Sequence, residues 1–422
     1  MSVVVSITPS AINRDSRTFK QAASFSRLGH RSVVVEGEPS PAGAGAGHFE
    51  LIAAPGARGV PAPAGPGPAP AGLVSAPQHD SPRLNLAGRA RVAVVNSLEP
   101  LRRSRQTLRI NREITPALPA ADLYVAHGWN RLPAAWSAAR RHGAAVLYDA
   151  HDSYFERYPD GESGYASSLT ERVLAAYEGA TARRCAGFVT ATEGVADLLE
   201  HRIGRRPTVV FNYPDTRLDR DPEGDVRTAV GADADAILLV SVGNAKPGTD
   251  VEAGLDAIAR LPDRFQLVLI GAGTEGYRGP VADRGLGSRV HLLSPLPPDR
   301  INRFIASADA GLILYWGITR DFDHALPNRL FHAVAAGLPV LFPELPAIGA
   351  LARRHGLGLP VDSRDPVSIA TAARRLAGDP ATLQRLRASV AAAGRELAWE
   401  RQKPRLSAAI EDAFRDGRPG RG

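Results

Sequence analysis

The segments ADAGLILY (308–315) and ALPNRLFHAVAAGLPV (325–340) carry the clearest structural signal in this 422-residue chain. An apolar run, a loop, a short amphipathic stretch and a second apolar run predict a strand, a helix and a second strand. We expect the helix to begin at Pro327-Asn328 and to end at Gly337, because proline suits a helix start and glycine suits the residue after a helix. The segment therefore predicts one unit of a parallel sheet.

The start of this helix is also the first candidate binding site. The N–H groups of Arg329, Leu330 and Phe331 are expected to lack intrahelical partners, and the helix dipole places about half a positive charge at that end. Such a helix start can bind a diphosphate. The alternative is a self-capped helix, in which the side chain of Asn328 satisfies these N–H groups.

Strand and helix patterns alternate on both sides of this segment. A helix over Arg17–Leu28 has Asp15 or Ser16 as its cap and Gly29 just past its end. Further strands are predicted at Val3–Ile7, Arg31–Val35, Val92–Asn96, Asp122–His127, Ala145–Asp149, Gly187–Thr190, Ile237–Val242, Phe265–Ile270 and Val290–Leu293. Two successive sets of such units predict two doubly wound α/β domains, whose ligands bind beyond the carboxyl ends of the strands.

Composition shifts suggest where the domains begin and end. We predict a first domain over residues 1–213, a polar linker over 214–235 and a second domain over 236–395. The final helical stretch, Thr382–Phe414, is longer than the second domain needs, so residues 396–422 are expected to form a helix that crosses back to the first domain, followed by a tail. The Pro/Gly/Ala-rich residues 39–79 are interpreted as a mobile excursion, with a functional lid as the alternative.

The bulk composition limits the classes of function. Apolar residues make up 44% of the chain and charged residues 23%, as in a soluble globular protein. One cysteine, no basic-apolar leader and no apolar run of about 20 residues predict a cytoplasmic protein. The net charge of +7 favours phosphorylated small molecules or anionic lipid as partners. We find no nucleic-acid motif and predict no nucleic-acid partner.

The chain resembles the family 4 retaining glycosyltransferases, which have the GT-B fold of two Rossmann-like domains facing each other across a cleft. The resemblance begins at the 308–315 and 325–340 segments and extends over most of the chain. It includes, in order, Asp15–Gly37, the strand ADLYVAH (121–127), YDAHD (148–152), FNYPD (211–215) and Trp399-Glu400.

The resemblance implies transfer of a hexosyl or related sugar from a nucleoside diphosphate to an acceptor hydroxyl, with retention and without a metal or other cofactor. The first domain would hold a glycan or lipid-linked acceptor, in polysaccharide or glycolipid synthesis, and the second would hold the nucleotide sugar. His127 matches the histidine that reaches the reacting sugar. The expected cleft residues on the acceptor side are Arg17, His151 and Asp152, and the expected donor-binding residues are Asn244, Lys246, His324, Asn328, Arg329, Leu330 and His332.

Two departures from the family pattern concern the donor site. Asn244 stands where an arginine is common, although Lys246 is kept and Arg329 can supply part of the missing positive charge. His324 and His332 occupy the places of two glutamates, the second of which accepts hydrogen bonds from the nucleotide ribose. A neutral histidine gives a weaker bond than a carboxylate, by about 1–2 kcal/mol.

Three weaker patterns are given structural interpretations. The loop GAGTEG (271–276) fits a dinucleotide fingerprint but lacks the acidic residue that should follow the next strand. The DFD triplet (321–323) is interpreted as a solvated loop and not as a metal site. Arg102, Arg103, Arg105, Arg109 and Arg112 are interpreted as a solvated helix face, with peripheral contact to anionic lipid at the inner face of the membrane as the alternative.

Two other functions remain open at the level of sequence. Replacement of the two glutamates by histidines is compatible with an inert GT-B-like binding protein. A sugar-nucleotide epimerase shares the two-domain architecture, although it needs acid/base carboxylates that the sequence does not clearly place in the cleft.

Overall fold

The computed structural model describes residues 1–54, 105, 107–155, 169–245 and 248–417. This part of the chain contains two sheets, and every strand pairing in both sheets is parallel. The predicted strand at Val92–Asn96 lies outside the described residues.

The first sheet has seven strands in the order β3-β2-β1-β4-β5-β6-β7. The strands are β1 Val3–Thr8, β2 Arg31–Glu36, β3 Glu50–Ala53, β4 Leu123–His127, β5 Ala145–Ala150, β6 Gly187–Thr190 and β7 Thr208–Val209. The helices of this half are α1 Ser16–Arg27, α2 over 107–114, α3 Leu132–His142, α4 Leu169–Arg184 and α5 Glu193–Ile203. A short helix, α6 Val226–Ala229, precedes the second sheet.

The second sheet has six strands in the order β10-β9-β8-β11-β12-β13. The strands are β8 Ile237–Val242, β9 Phe265–Ile270, β10 Val290–Leu293, β11 Ala310–Leu312, β12 Val340–Pro343 and β13 Gly358–Val361. The helices are α7 Val251–Ala259, α8 Arg278–Asp283, α9 Ile301–Ile305, α10 Arg320–His324, α11 Asn328–Ala335, α12 Pro346–His355, α13 Pro366–Gly378, α14 Pro380–Glu396 and α15 Lys403–Asp416. No described helix combines the length and the apolar composition that crossing a membrane requires.

Burial on both faces explains the apolar runs that define the strands. In β8, Leu238 and Val240 pack into one buried cluster, whereas Leu239 between them packs into another. Successive side chains of a strand point to opposite faces, so a sheet covered by helices on both sides needs apolar residues at consecutive positions. The predicted helix signals are also confirmed: Asp15 accepts the Thr18 N–H at 3.0 Å, and Gly29 after the helix has a φ of +88°.

The described structure differs from the sequence prediction in two segments. Residues 39–79 were interpreted as a mobile excursion, but in the described part of this stretch Glu50–Ala53 forms β3, and Phe49 packs edge-on against Phe19 at 5.3 Å between ring centroids. Residues 55–79 lie outside the described residues. The few apolar residues around Phe49 and β3 therefore attach this described part to the sheet edge. The single stretch Thr382–Phe414 is divided into α14 and α15 by a segment that contains the 3₁₀ turn Trp399–Arg401.

The break between α14 and α15 joins the two halves of the molecule. The fully buried Trp399 donates its backbone N–H to Pro214 at 2.9 Å and its indole N–H to Ser24 at 2.8 Å. Helix α15 then packs on the first sheet, where Ile410 and Ala413 share a buried cluster with Leu147. The end of the chain thus covers one face of the first sheet after the second sheet is complete.

Candidate functional site

A cleft of about 360 Å³ lies between the carboxyl ends of the two sheets. Its first wall is formed by residues 9–17, between β1 and α1, and by residues that follow β5 and β6. Its second wall is formed by residues after β8 and β9 and by the start of α11. The strands within each sheet are parallel, so the loops that follow their carboxyl ends lie at one edge of the sheet, and both of these edges face the cleft. Such loops can vary in sequence without disturbing the strands.

The start of α11 faces the cleft without a side-chain cap. Pro327 is the N-cap residue and its side chain accepts no hydrogen bond, whereas the Asn328 amide oxygen accepts from Asn212 of the first domain. The alternative of a helix capped by Asn328 is therefore wrong. The backbone N–H of Leu330 donates to Pro327 at 3.0 Å, so the donor predicted there is already occupied. The N–H groups of Asn328 and Arg329 precede the first intrahelical hydrogen bonds.

The Arg329 side chain lies beneath the loop that follows β8. Its Nη1 donates to the Leu314 carbonyl at 2.7 Å, and the guanidinium lies over the Tyr315 ring. A Cβ atom on Gly243 would lie 2.7 Å from the guanidinium, and Gly243 has a φ of +139°, so only glycine fits this approach. Burial lowers the pKa of Arg329 to about 10, which leaves the group charged at neutral pH.

The other predicted residues of this loop contribute less to the described site. Asn244 lines the cleft, and its side-chain oxygen accepts the Ala272 N–H at 3.0 Å, so its role in the structure is to hold two loops together. Lys246 lies outside the described residues.

The two histidines that replace glutamates have different environments. His332 lines the cleft, and its Nδ1 lies 2.8 Å from the Asn302 side-chain oxygen. Burial, with a smaller effect from the Lys20 ammonium, lowers the pKa of His332 to about 3, so the ring is neutral. His324 does not line the cleft. It packs against Gly194 of the first domain, and its backbone carbonyl accepts from the Thr192 hydroxyl at 2.8 Å.

The corresponding edge of the first sheet contains a buried network centred on the Asp149 carboxylate. Arg17 binds Asp149 through two nitrogens and donates to the Val210 carbonyl at 2.7 Å. His127 Nδ1 lies 3.0 Å from the Asp149 carboxylate, and Gln21 donates to the same group at 2.8 Å. Burial opposes ionisation of Asp149, but the Arg17 and His127 side chains hold the pKa of that carboxyl far below its ordinary value.

The two histidines near this edge lie at different depths, and the Nε2 of His127 has no hydrogen-bond partner among the described residues. The His127 side chain is fully buried and does not line the cleft, whereas Arg17 reaches the cleft wall with most of its surface covered. His151 and Asp152, which follow β5, both line the cleft. The His151 Nε2 lies 2.9 Å from the Tyr154 hydroxyl, and its Nδ1 has no hydrogen-bond partner among the described residues. The structure therefore brings His151 and Asp152, and not His127, to the cleft surface.

Several polar residues near the site were not predicted from the sequence. Lys20 donates to the carbonyls of Asn212 at 3.0 Å and Tyr213 at 2.8 Å, which fixes α1 to the domain junction. Asn302 and Asp219 lie behind His332. These residues are 30 or more positions from their partners, and no local pattern marks such contacts.

The DFD triplet does not form the solvated loop that was predicted. It belongs to α10, Asp321 is buried, and one of its carboxylate oxygens accepts the Ser153 N–H of the first domain at 2.6 Å. Across the described ranges, no three or more His, Cys, Asp or Glu side chains form a group that could hold a metal ion.

The predicted basic cluster is only partly described. Arg105 and Arg109 are exposed, and Arg109 forms an ion pair with Glu113 at 3.6 Å. Arg102 and Arg103 lie outside the described residues.

Two family models match most of the chain. Residues 16–214 match a glycosyl transferase 4-like domain, and residues 236–379 match glycosyl transferases group 1. The chain is 25% identical over 318 residues to the D-inositol 3-phosphate glycosyltransferase of Mycolicibacterium vanbaalenii, which covers 70% of this chain and 68% of that protein. The enzyme of the same name from Corynebacterium efficiens is 25% identical over 243 residues, or 53% of this chain and 56% of the relative.

Solved structures resemble the whole chain at low sequence identity. Anabaena Alr3699/HepE, solved in complex with UDP and glucose, superposes with a TM-score of 0.68 and 12% identity over 97% of this chain and 100% of that one. Sucrose-phosphate synthase from Thermosynechococcus elongatus superposes with a TM-score of 0.68 and 15% identity over 98% of this chain and 100% of that one.

Proposed function

The chain belongs to the group 1 glycosyltransferases, with a glycosyl transferase 4-like first domain and the GT-B fold, and we propose that it transfers a sugar from a nucleoside diphosphate to an acceptor hydroxyl with retention. The observation that carries the proposal is the uncapped start of α11 beside the Arg329 guanidinium, both on the cleft. This combination offers backbone donors, a helix dipole and a fixed cation to a diphosphate.

The donor is proposed to bind on the wall of the second domain. The diphosphate would contact the N–H groups of Asn328 and Arg329 and the Arg329 guanidinium, with Lys246 as a further cation. The ribose would contact His332, which is adjacent on α11. The UDP found with the Anabaena protein supports a nucleoside diphosphate as the ligand class.

The sugar is proposed to face the first domain. His127 was predicted to reach it, but this side chain is enclosed by the Asp149 network, so we assign the contact to His151, with Asp152 beside it. Arg17 would act as a positioning residue, because it already bridges Asp149 and two backbone carbonyls.

The reaction would then need no covalent intermediate with the protein. The bond between the anomeric carbon and the phosphate oxygen breaks, the acceptor oxygen bonds to the same face of that carbon, and its proton passes to the leaving phosphate. Arg329, Lys246 and the helix start would stabilise the charge that develops on the diphosphate, so we propose that transfer is independent of metal. Full activity in EDTA and an anomeric configuration that is retained in the product would support this account.

The acceptor is proposed to be a glycan or a lipid-linked molecule in the cytoplasm or at the membrane surface. The exposed Arg105, Arg109 and Leu108 offer a basic face with one apolar side chain for contact with anionic lipid. Flotation with vesicles that contain an anionic lipid tests this contact, and R105E together with R109E should abolish it. Because two relatives are named for D-inositol 3-phosphate, that compound belongs in the acceptor panel.

The donor site is tested by adding UDP, GDP, ADP or TDP and measuring the increase in the melting temperature of the protein. We expect one nucleotide to stabilise the protein, and Arg329→Met, Lys246→Ala and His332→Ala to weaken its binding. Arg353→Met is a matched control, because Arg353 is an exposed arginine paired with Glu344 away from the cleft.

Turnover with the corresponding nucleotide sugar separates the alternatives. Transfer to an acceptor, or slow release of free sugar, excludes an inert binding protein. A product that keeps its nucleotide indicates an epimerase. Stabilisation by none of the four nucleotides at millimolar concentration would contradict the proposed function.

A further inference from the structure

A second, smaller cavity of about 30 Å³ lies directly behind the cleft. His332 lines both spaces, so its ring forms part of the wall between them. Asn302 and Asp219 line only the small cavity. The two edges of the His332 ring therefore have different neighbours.

A chain of hydrogen bonds connects His332 to a carboxylate. The side-chain oxygen of Asn302 lies 2.8 Å from His332 Nδ1, and the Asn302 amide nitrogen donates to the Asp219 oxygens at 2.9 and 3.2 Å. Asn302 is 5% exposed, so water cannot easily replace either contact.

The direction of each bond follows from the chemistry of the three groups. An ionised carboxylate only accepts hydrogen bonds, so the NH₂ of Asn302 must face Asp219 and its carbonyl oxygen must face His332. That oxygen also only accepts, so His332 Nδ1 must carry the ring proton. In a neutral imidazole the other nitrogen, Nε2, is then an acceptor.

The Nε2 atom of His332 is the ring nitrogen that a ligand in the cleft could contact. Nδ1 points to Asn302 and the small cavity, which leaves the Nε2 edge for the cleft. Within the described ranges Nε2 has no hydrogen-bond partner. Burial and the Lys20 ammonium also keep the pKa of His332 low, which prevents Nε2 from becoming a donor.

We infer that Asn302, held by Asp219, is a positioning residue that fixes His332 as a hydrogen-bond acceptor for a ribose hydroxyl of the bound nucleotide. The inference rests on the proposed function, because it requires a nucleotide in the cleft. The hydrogen-bond acceptor for the ribose is then a neutral imidazole ring, and Asn302 fixes the tautomer of that ring from the side of the small cavity. No negative charge at position 332 is needed.

The same chain of bonds disfavours a carboxylate at position 332. A glutamate there would face the Asn302 carbonyl oxygen, so that two acceptors would meet, and it would add charge beside Asp219 and Asp215. A glutamine can donate to Asn302 with its NH₂ and accept from the ligand with its oxygen. Position 332 should therefore tolerate glutamine better than glutamate.

The test measures binding of the stabilising nucleoside diphosphate and of its 2′-deoxy and 3′-deoxy forms to five proteins. These are the wild type, Asn302→Leu, His332→Gln, His332→Glu and the control Gln266→Leu, which removes an amide–imidazole contact to His291 away from the cleft. The pH is 8.5, because burial raises the pKa of Asp219 to about 7 and the carboxylate must be ionised. Arg303, Asp215 and Asp299 are the other charged groups that act on it.

The wild type should bind the intact nucleotide about five- to tenfold more tightly than one of the deoxy forms. In Asn302→Leu and His332→Glu, the affinity for the intact nucleotide should fall by a similar factor. These variants should then no longer discriminate between the intact nucleotide and its deoxy form. In His332→Gln, the affinity for the intact nucleotide and the preference for it over the deoxy form should stay within about threefold of the wild-type values. Gln266→Leu should behave like the wild type. Long-range ¹H–¹⁵N spectra should show the His332 proton on Nδ1 in the wild type and a mixture of tautomers in Asn302→Leu.

Two results would overturn the inference while leaving the proposed function in place. One is unchanged discrimination in a folded Asn302→Leu protein. The other, which does not depend on that variant folding, is tighter binding by His332→Glu than by the wild type. Failure of the wild type to bind any nucleoside diphosphate would instead remove the proposed function and the inference together.

Discussion

The carboxyl edges of the two sheets face the same cleft but use their charged residues differently. At the first edge, Asp149 binds Arg17 and the Nδ1 of His127 beneath the surface. At the second edge, the start of α11 has no side-chain cap, and His332 presents a ring edge without a partner in the described ranges. The Arg17–Asp149 pair at the first edge is therefore already committed, although His127 Nε2 and His151 Nδ1 have no hydrogen-bond partner among the described residues. At the second edge the helix start itself is left for a ligand to satisfy.

This difference shows that a charged residue at the end of a strand does not by itself mark a binding site. A buried ion pair mainly avoids the cost of an uncompensated charge, and it is fully committed to that role. Helix N–H groups without a partner, here beside the charged Arg329 guanidinium, are better indicators of where an anion binds.

The largest effect is expected from breaking the first edge. Asp149→Asn removes the carboxylate that compensates the buried Arg17, and the free energy of unfolding should fall by about 3–5 kcal/mol. Urea denaturation followed by circular dichroism measures the change. In the control, Glu50→Gln breaks the exposed pair with Arg31 and should leave the denaturation midpoint almost unchanged. An Asp149→Asn protein of normal stability would contradict the structural role of this edge.

A substitution at the second edge should weaken binding of the nucleoside diphosphate more than it lowers the free energy of unfolding. Arg329→Met removes a charged donor from the proposed diphosphate site, and affinity for the nucleoside diphosphate should fall about 10- to 100-fold. Affinity for the nucleoside alone should change little, because it carries no phosphate. Calorimetric titration of both ligands gives the two numbers. Equal losses for nucleoside and nucleotide would mean that Arg329 only supports the fold.

The free energy of unfolding should depend on pH through Lys20, which lies at the junction between the two domains. Burial lowers the pKa of this lysine from 10.5 to about 7, so between these values the unfolded chain binds a proton that the folded protein does not. The free energy of unfolding should therefore rise as the pH increases from 7 towards 10, by about 1–3 kcal/mol. Lys20→Met should remove this part of the pH dependence. A slope that is identical in the variant would show that the Lys20 ammonium keeps its ordinary pKa.

The smallest effect is expected at His324, which the sequence grouped with the donor site. Its side chain packs on Gly194, and its hydrogen bond to Thr192 uses the backbone carbonyl, which any residue provides. His324→Ala should therefore change nucleotide affinity by less than about twofold. A loss as large as that of Arg329→Met would place His324 at the donor after all.

Local sequence signals were sufficient for much of the fold. Asp15 and Gly29 mark the two ends of α1, and the apolar runs around 308–340 identify β11, α11 and β12 because burial on both faces leaves a continuous pattern. The start of α11 as a candidate anion site also follows from the sequence, since Pro327 and the apolar run define where the helix begins.

The partners of polar side chains could not be read from the sequence. His127 ends its strand, as His151 follows the next, and only the packing of Arg17 and Asp149 shows that His127 is enclosed. The contacts of Asn302 with Asp219 and of Asp321 with Ser153 join residues 83 and 168 positions apart. Nothing near these residues in the chain distinguishes a solvated side chain from a buried one that joins two domains.

The most direct test of the account is a crystal structure of the complex with whichever of UDP, GDP, ADP or TDP stabilises the protein. We predict that the diphosphate oxygens lie within hydrogen-bond distance of the backbone N–H of Asn328 or Arg329 and of the Arg329 guanidinium. A diphosphate bound instead at the first edge, beside Arg14 or Arg17, would contradict the assignment of the second edge as the donor site.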